Sequence, residues 1–428
     1  MKKTFAIILC ALALSFSCSA GHNRHCDKHA HNAVVKSGVE VLRDHGFKEL
    51  KGKTVGLLTN PSGVDRNLKS TIDILHNAPD VELKCLFAPE HGVRGDIYAG
   101  AKAEDSIDEA TGIPVYSIYG KISAPTPEML KGLDAVVYDI QDVGTRSYTF
   151  ISALGLLMRA CAENNVEVIV LDRPNPLGGL KVEGNYVEPG FFSYVSEFRI
   201  PYVYGLTPGE VALLINGEKI NCGKKGDLAP LQCKLSVVPM EGWTRSMTYK
   251  ETGLPWILPS PQVPQEINAT GYPCAGIVGD FSSEFLNIGV GYTLPFQVFG
   301  AEWVDAVALK NKLDSYEIPG VAWRAIHYKP FFGAQSGKLL HGVQYFFTDY
   351  DKAPLTLINF YVMQAVHELY PEHNPYVGKA NRMHDQVCGT DKIRAMFGKN
   401  FKVADMYDYW MKDVEEFRKI SQKYYLYK

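Results

Sequence analysis

Residues 134–146, with the sequence Asp-Ala-Val-Val-Tyr-Asp-Ile-Gln-Asp-Val-Gly-Thr-Arg, decide the fold of this chain. The apolar run at 134–140 predicts a strand that is buried on both faces, as strands of parallel sheets are. A polar cluster follows at once, and the spacing over 148–164 then predicts a helix, for which Ser147 or Thr145 is the expected N-cap. A buried strand, a polar loop and a helix in this order are typical of a parallel α/β sheet.

The same pattern recurs on both sides of this stretch. Apolar runs and helical spacing predict four further strands, at 54–58, 83–87, 115–118 and 166–171, and two helices, at 70–76 and 207–217. Polar clusters follow the strands at 59–63, 89–92, 141–146 and 172–176. Because the loops at the carboxyl ends of parallel strands converge on one edge of the sheet, we expect these clusters to line a common site.

A proline-rich segment separates this half from the remainder of the chain. Four prolines between 255 and 264 exclude a central strand or helix, so we predict a crossover between two domains there. The pattern beyond it mixes a strand with three helices, at 342–347, 354–369, 390–397 and 404–424. The sequence therefore predicts an α/β domain with a parallel sheet over 34–256 and a smaller α+β domain over 257–428.

The composition is that of a soluble globular protein, with 428 residues, 46% hydrophobic and 21% charged. The net charge of −3 and the lack of a polybasic tract argue against nucleic acid as a partner. Beyond the N-terminus no segment approaches ~18 consecutive apolar residues, so we expect no transmembrane helix. The sequence carries no signal for the oligomeric state.

Residues 1–20 have the pattern of a secretory signal peptide. Two lysines precede an apolar stretch at 4–14, and small residues follow it. Cleavage after Ala20 is one route of processing. The other is lipoprotein processing at Cys18, because Leu-Ser-Phe-Ser-Cys loosely resembles a bacterial lipobox. Both routes predict an exported, periplasmic protein, and the second adds a lipid anchor.

Residues 21–33 are rich in histidine and are interpreted either as a metal-scavenging tail or as a polar tether. We favour the tether, since no apolar framework surrounds these residues to hold a metal geometry. Further along, Cys222 and Cys233 flank a turn rich in glycine and lysine. They could form a disulfide in an oxidising periplasm, and the paired and unpaired forms both stay open.

Glu90 is the first candidate for a catalytic acid. Pro89-Glu-His-Gly92 places a carboxyl group beside an imidazole at the end of a strand, and a partly buried Glu is suited to general acid catalysis. His91 could orient Glu90 or bind substrate. The alternative is that Glu90 caps a helix or pairs with Arg94.

The cluster at 141–146 supplies a second acid and a cation. Asp142 is the preferred second carboxylate, and Arg146 could bind a substrate carboxylate through two parallel N–H groups. The alternative is an Asp142–Arg146 pair that fixes the loop. The other side chains expected to bind substrate at this edge are Asn60, His91, Arg94, Tyr148, Asp172, Arg173 and Asn175.

Several motifs are absent from the sequence, and their absence narrows the chemistry. The first strand is followed by Asn-Pro-Ser-Gly, which is neither a dinucleotide-binding glycine motif nor a P-loop. No Gly-x-Ser-x-Gly elbow occurs, and His367-Glu368 lacks the second histidine of a zincin. Acid/base chemistry by carboxylates, without a metal or cofactor, is therefore favoured.

Five segments spread in order along most of the chain carry a family resemblance. They are Gly56-Leu-Leu-Thr-Asn-Pro-Ser-Gly63, Phe87-Ala-Pro-Glu-His-Gly-Val-Arg-Gly95, Tyr138-Asp-Ile-Gln-Asp-Val-Gly-Thr-Arg-Ser-Tyr-Thr149, Leu171-Asp-Arg-Pro-Asn-Pro-Leu-Gly-Gly179 and Pro259-Ser-Pro261. The chain resembles the NamZ family, the exo-β-N-acetylmuramidases of bacterial cell-wall recycling. The resemblance implies a Rossmann-like N-terminal domain and a cleft against a smaller C-terminal domain. It also implies hydrolysis of terminal N-acetylmuramic acid from peptidoglycan fragments, with Glu90 as the catalytic carboxylate.

One segment departs from the family pattern. Relatives usually carry a Ser-Glu-Gly-Arg-Gly-Thr-like stretch before a Pro-Phe, whereas this chain has Ile288 and Val290 at the positions of the Glu and the Arg. The leading hypothesis is an exported exo-glycosidase that acts on terminal β-linked N-acetylmuramic acid. The alternatives are a non-catalytic envelope protein that binds cell-wall sugars, and a hydrolase of another amino sugar.

Overall fold

The computed structural model describes residues 34–95, 104–220 and 232–428, and within these ranges seven strands form the first sheet. They are β1 (Lys53–Thr59), β2 (Val81–Ala88), β3 (Ser106–Ile107), β4 (Pro114–Ser117), β5 (Ala135–Asp139), β6 (Glu167–Leu171) and β7 (Leu235–Val238). Their order is β3-β4-β2-β1-β5-β6-β7, and every neighbouring pair is parallel except β3 with β4. The parallel sheet predicted from the apolar runs is confirmed.

Helices cover both faces of the first sheet. They are α1 (Gly38–Asp44), α2 (Thr71–His76), α3 (Pro127–Leu130), α4 (Phe150–Glu163) and α5 (Pro208–Glu218). Val136 and Tyr138 of β5 pack in the same apolar cluster as α4, whereas the alternating Ala135 and Val137 pack with α1 and α2. Because both faces are buried, the strand is apolar throughout, which explains why its sequence predicted a parallel sheet.

The expected start of α4 is wrong by two to four residues. The N-cap is Thr149, because residues before it form a turn in which the N–H of Tyr148 donates to the carbonyl oxygen of Thr145. The hydroxyl of Ser147 donates to Tyr202 rather than capping the helix. The predicted start of α5 is confirmed, since Thr207 is its N-cap and exchanges hydrogen bonds with Glu210.

The second half combines a small sheet with helices, as predicted for an α+β region. Among the described residues, three antiparallel strands in the order β8-β10-β9 form the second sheet. The strands are β8 (Val298–Ala301), β9 (Val321–Tyr328) and β10 (Leu340–Phe347). The helices are α6 (Glu266–Gly279), α7 (Ala306–Asp314), α8 (Leu357–Leu369), α9 (Asn381–Cys388), α10 (Lys392–Asn400), α11 (Val403–Met411) and α12 (Val414–Ser421), with 3₁₀ turns at Tyr249–Thr252, Pro375–Val377 and Gln422–Tyr424.

The single helix predicted over 404–424 is wrong, because α11 and α12 are separate helices. The break lies at Asp413, whose carboxylate accepts a hydrogen bond of 2.8 Å from the backbone N–H of Tyr186. This contact with a residue 227 positions earlier could not be read from the local spacing.

The proline-rich crossover contains neither helix nor strand between 254 and 265, as predicted. It is tied to the first sheet by two side chains. Asn60 donates to the carbonyl oxygen of Pro259 at 3.0 Å, and the hydroxyl of Tyr148 donates to Ser260 at 2.9 Å. The crossover therefore lies over the carboxyl edge of the sheet, beside the loops that follow β1 and β5.

Residues from both halves share one apolar core, in which Tyr202 contacts Trp410 with ring centroids 6.0 Å apart. The division at 256/257 therefore stays a prediction.

Several predictions concern residues that the structure does not describe. They are the signal peptide at 1–20 with Cys18, the tether at 21–33, and Cys222 of the possible disulfide. Within the described ranges, no helix is both long and apolar enough to span a membrane.

Candidate active site

A pocket of about 300 Å³ lies at the carboxyl edge of the first sheet, and we call it the Glu90 pocket. Its walls come from the loops after β2 and β5, from the crossover, from α6 and from the turn before β8. The residues that line it are Glu90, His91, Ser147, Tyr148, Thr149, Phe150, Val195, Ser260, Gln262, Tyr272 and Phe296. Separate loops therefore do converge on one pocket, but of the expected site residues only Glu90, His91 and Tyr148 line it.

Glu90 is partly exposed in this pocket and is held by a tyrosine. The hydroxyl of Tyr119 donates to Oε1 of Glu90 at 2.9 Å. Burial, with the charge of Glu90, raises the pKa of Tyr119 to about 12. Burial and the same charge also raise the pKa of Tyr194, whose ring lies 6.3 Å from that of Tyr119. Glu90 thus accepts a hydrogen bond from one phenol, that of Tyr119, and its charge disfavours ionisation of both tyrosines.

The backbone after Glu90 makes a sharp left-handed turn. His91 has φ of 76° and Gly92 has φ of 77°, and a non-glycine residue in this region is uncommon. Such strain is held in place only by its surroundings and is frequent at functional sites. The turn brings two consecutive side chains, Glu90 and His91, to the same pocket.

Aromatic rings form one wall of the pocket. Tyr148 meets Tyr272 edge to face at 5.3 Å, and Tyr272 meets Phe296 in the same way at 5.0 Å. Burial is the main cause of the raised pKa of Tyr272, about 12, and the charges of Glu90 and Asp142 add to it. The expected position of Tyr148 in the site is therefore seen, and α6 adds Tyr272 to it.

Asp142 does not line the pocket, although its charge affects the ionisation of Tyr148 and Tyr272, which do. It is buried, and its Oδ2 accepts hydrogen bonds from the hydroxyl of Tyr204 and, at 2.7 Å, from the N–H of Gly144. Within the described residues, its Oδ1 has no hydrogen-bond partner. Burial disfavours the charged form and raises the pKa of Asp142 to about 6. The direct contact with substrate expected for Asp142 is therefore not seen.

Arg146 does not reach the pocket, which corrects the expected contact with a substrate carboxylate. Its guanidinium is fully buried and donates to the carbonyl oxygens of Asn185 at 2.9 Å and Val387 at 2.9 Å, and to that of Ile200. Burial lowers the pKa of Arg146 to about 10. The side chain joins segments distant in sequence, and the alternative pair with Asp142 is not formed either.

The polar side chains after β6 are also turned inward, so their expected contacts with substrate are corrected. Arg173 is buried and pairs with Asp139, with Nη2 2.9 Å from Oδ2. Asp172 accepts hydrogen bonds from Thr207 at 2.7 Å and from the N–H of Gly209 at 2.8 Å. Burial raises the pKa of Asp172 to about 7. These groups fix the loop to the sheet instead of facing a ligand.

Three further expected contacts fall outside the pocket. Asn175 is buried and donates to the carbonyl oxygen of Leu206 at 3.0 Å, and the amide of Asn60 holds the crossover. Arg94 pairs with Asp108 at 2.9 Å and lines a neighbouring surface cleft. These side chains shape the loops around the site, and the geometry gives them no direct contact with a ligand in the Glu90 pocket.

The sequence reasoning missed part of the site. Tyr119, Tyr194, Tyr272 and Phe296 lie far apart along the chain, and no motif marks them as partners of Glu90. The abundance of tyrosine and phenylalanine in the sequence, 24 and 20 residues, was the available signal. Among the described residues, no group of three or more His, Cys, Asp or Glu side chains is arranged to hold a metal ion.

Comparison with known proteins agrees with this picture. The family model "Exo-beta-N-acetylmuramidase NamZ, N-terminal" matches residues 55–267, and the corresponding C-terminal model matches 270–427. The peptidoglycan beta-N-acetylmuramidase NamZ of Bacillus subtilis (strain 168) is 39% identical over 430 residues, covering 100% of both chains.

Two crystal structures of DUF1343 family proteins from Bacteroides fragilis NCTC 9343 are also similar. One is 51% identical with a TM-score of 0.87, and the other is 29% identical with a TM-score of 0.71. Each alignment covers 92% of this chain and 99% of the other.

The fold, the acid in its tyrosine-lined pocket and these matches define a glycoside hydrolase built on a parallel α/β sheet. Both halves of the chain match their models in order, and the full length aligns with the Bacillus subtilis protein. The chain belongs to the exo-β-N-acetylmuramidase NamZ family.

Proposed function

We propose that this protein is an exported exo-glycosidase that releases terminal β-linked N-acetylmuramic acid from peptidoglycan fragments. The observation that carries the proposal is Glu90, a partly exposed carboxylate that receives a hydrogen bond from Tyr119 inside the aromatic pocket. The volume of about 300 Å³ is at the lower end of the range for small-molecule sites, ~300–1,000 Å³, and suits a single terminal sugar.

In this proposal Glu90 protonates the leaving oxygen as the bond between that oxygen and the anomeric carbon breaks. A water molecule then adds to the anomeric carbon and gives a proton to the Glu90 carboxylate, which restores the acid. The hydroxyl of Tyr119 fixes the orientation of the carboxyl group through the bond to Oε1. The transition state carries positive charge on the sugar ring. Asp142, when ionised, stabilises this charge and does not touch the sugar.

His91 has the role that sequence reasoning gave to Arg146. Among the described residues that line the pocket, it is the one side chain that can carry a positive charge. N-Acetylmuramic acid differs from N-acetylglucosamine by a lactyl ether with a carboxylate. We assign His91 to this carboxylate, since an imidazole N–H can donate a hydrogen bond to it.

The test is Glu90→Gln, which keeps the size of the side chain and removes the transferable proton. We expect the release of chromophore from a chromogenic β-N-acetylmuramide to fall at least ~100-fold, as for loss of a general acid. Glu109→Gln, at an exposed glutamate, is the matched control and should keep wild-type activity. Retained turnover by Glu90→Gln would exclude this role for Glu90.

Export is supported by the signal pattern of residues 1–20. The mass of the mature protein purified from the producing cell tests this part. A chain that starts after Ala20, or at a lipid-modified Cys18, would agree with it, whereas a mature chain that keeps Met1 would contradict it.

A further inference from the structure

The loop between β9 and β10 exposes two consecutive phenylalanines. Phe331 is 65% exposed and Phe332 is 45% exposed, with ring centroids 5.8 Å apart. Scattered exposed apolar residues are normal on protein surfaces, whereas a contiguous aromatic pair marks a candidate contact site. We call these two residues the phenylalanine pair.

The loop that carries the pair is held in place by hydrogen bonds. The side chain of Gln335 is buried and donates to the carbonyl oxygen of Ser282 at 2.7 Å. The N–H of Gly337 donates to the carbonyl oxygen of Pro330 at 2.8 Å, which closes the loop. These hydrogen bonds hold the loop in a conformation in which both rings are exposed. The two rings are therefore preorganised to contact a ligand.

The pair is joined to the Glu90 pocket by a short turn, residues 287–296. The N–H of Phe331 donates to the carbonyl oxygen of Gly291 at 2.8 Å, and the N–H of Phe296, which lines the pocket, donates to that of Ile288 at 2.7 Å. The Cα atoms of Ile288 and Gly291 are at most about 11 Å apart, because consecutive Cα atoms are about 3.8 Å apart. The loop of the pair is therefore hydrogen-bonded to the same short turn that carries Phe296 into the pocket.

The same turn contains no charged residue, and Ile288 and Val290 stand where the family resemblance places Glu and Arg. Ile288 is buried, and Asn287 uses its side chain on the turn itself, accepting from the N–H of Gly289 at 2.7 Å. This turn therefore offers a ligand no charged side chain.

We propose that the phenylalanine pair is a platform for the saccharide on the leaving side of the scissile bond. The apolar C–H face of a pyranose ring packs on an aromatic ring, which requires no charge from the protein. This inference rests on the proposed function, because it assigns the sugar next to the terminal residue in the pocket. It gives the enzyme a preference for oligosaccharide over simple aryl substrates.

The test compares two substrates, a chromogenic β-N-acetylmuramide, which has no leaving sugar, and the disaccharide of N-acetylmuramic acid β-linked to N-acetylglucosamine. The variants are Phe331→Ala, Phe332→Ala and the double variant. Phe346→Ala is the matched control, since Phe346 lies on β10 and is also 45% exposed. We expect kcat/KM of the double variant to fall at least ~10-fold for the disaccharide and less than ~2-fold for the chromogenic substrate.

Equal losses on both substrates, or no loss on the disaccharide, would overturn the platform. A second measurement separates it from the proposed function. In the Glu90→Gln background, calorimetry gives the Kd of the disaccharide, which should rise at least ~10-fold when both phenylalanines are removed. If the wild type cleaves neither substrate and this Kd still depends on the pair, the hydrolytic function fails and the platform stands.

Discussion

Replacement of Asp142 by Asn changes the stability of the protein in a pH-dependent way. Asp142 is buried, Tyr204 and Gly144 donate to one of its oxygens and, among the described residues, the other has no partner. Burial raises its pKa from 3.8 to about 6. Asn keeps an oxygen for the two donors and cannot ionise.

The magnitude follows from this pKa. One pKa unit corresponds to ~1.4 kcal/mol, so the change from 3.8 to about 6 is worth about 3 kcal/mol. Because the folded state binds the proton more tightly than the unfolded state, the stabilisation is fully present below pH 3.8. It is lost as the pH rises through about 6. The wild type therefore loses about 3 kcal/mol relative to Asp142→Asn between pH 3 and pH 7.5.

Urea unfolding at these two pH values measures the effect. The difference in the free energy of unfolding between the wild type and Asp142→Asn should shift by about 3 kcal/mol in favour of the variant at pH 7.5. Asp408→Asn, at an exposed aspartate, serves as the control for the substitution itself. The reasoning is refuted if the difference for Asp142→Asn is the same at both pH values.

Three other substitutions test the site and its support. His91→Asn keeps a residue that tolerates the left-handed backbone and removes the imidazole, so KM for the N-acetylmuramide should rise about 10-fold, whereas KM for the corresponding N-acetylglucosaminide should not change. Arg173→Met leaves the buried carboxylate of Asp139 unpaired and should lower the free energy of unfolding by about 3–5 kcal/mol in urea. Gly289→Ala should lower the free energy of unfolding by about 1–3 kcal/mol, because φ of Gly289 is 84° and an added Cβ would lie 2.0 Å from the carbonyl oxygen of Leu294. It should also reduce kcat/KM, since the same turn carries Phe296.

Each of these has an outcome that contradicts it. An equal rise of KM on both sugars would remove the assignment of His91 to the lactyl carboxylate. If Arg173→Met unfolds at the same urea concentration as the wild type, the loss of Arg173 does not leave the charge of Asp139 without a partner. Unchanged kinetics in Gly289→Ala would show that the turn does not position Phe296 in the pocket.

Local pattern was sufficient to predict the parallel sheet and to place polar clusters at its carboxyl edge. Strands such as β5 are apolar on both faces, which leaves few alternatives to a buried parallel strand. The predicted break of regular structure at the proline-rich crossover is equally local, since proline removes a donor and fixes φ.

The orientation of side chains within those clusters could not be predicted. Glu90, His91 and Tyr148 face the pocket, whereas Arg146 and Arg173, from loops at the same edge, face carbonyl oxygens and a carboxylate in the interior. Position at the end of a strand fixes where a residue lies and not which way it points. The choice depends on partners distant in sequence, such as the carbonyl oxygen of Val387 for Arg146, 241 residues later.

Residues 426–427 donate hydrogen bonds to two carboxylates near the carboxyl end of β6. Tyr427 donates to Asp172, which lies 255 residues earlier, and the N–H of Leu426 donates to Glu210 at 2.9 Å. Until residues 426–427 pack against the sheet, the carboxylates of Asp172 and Glu210 each lack one of these donors. The final form of this part of the first sheet therefore depends on a segment more than 200 residues further along the chain.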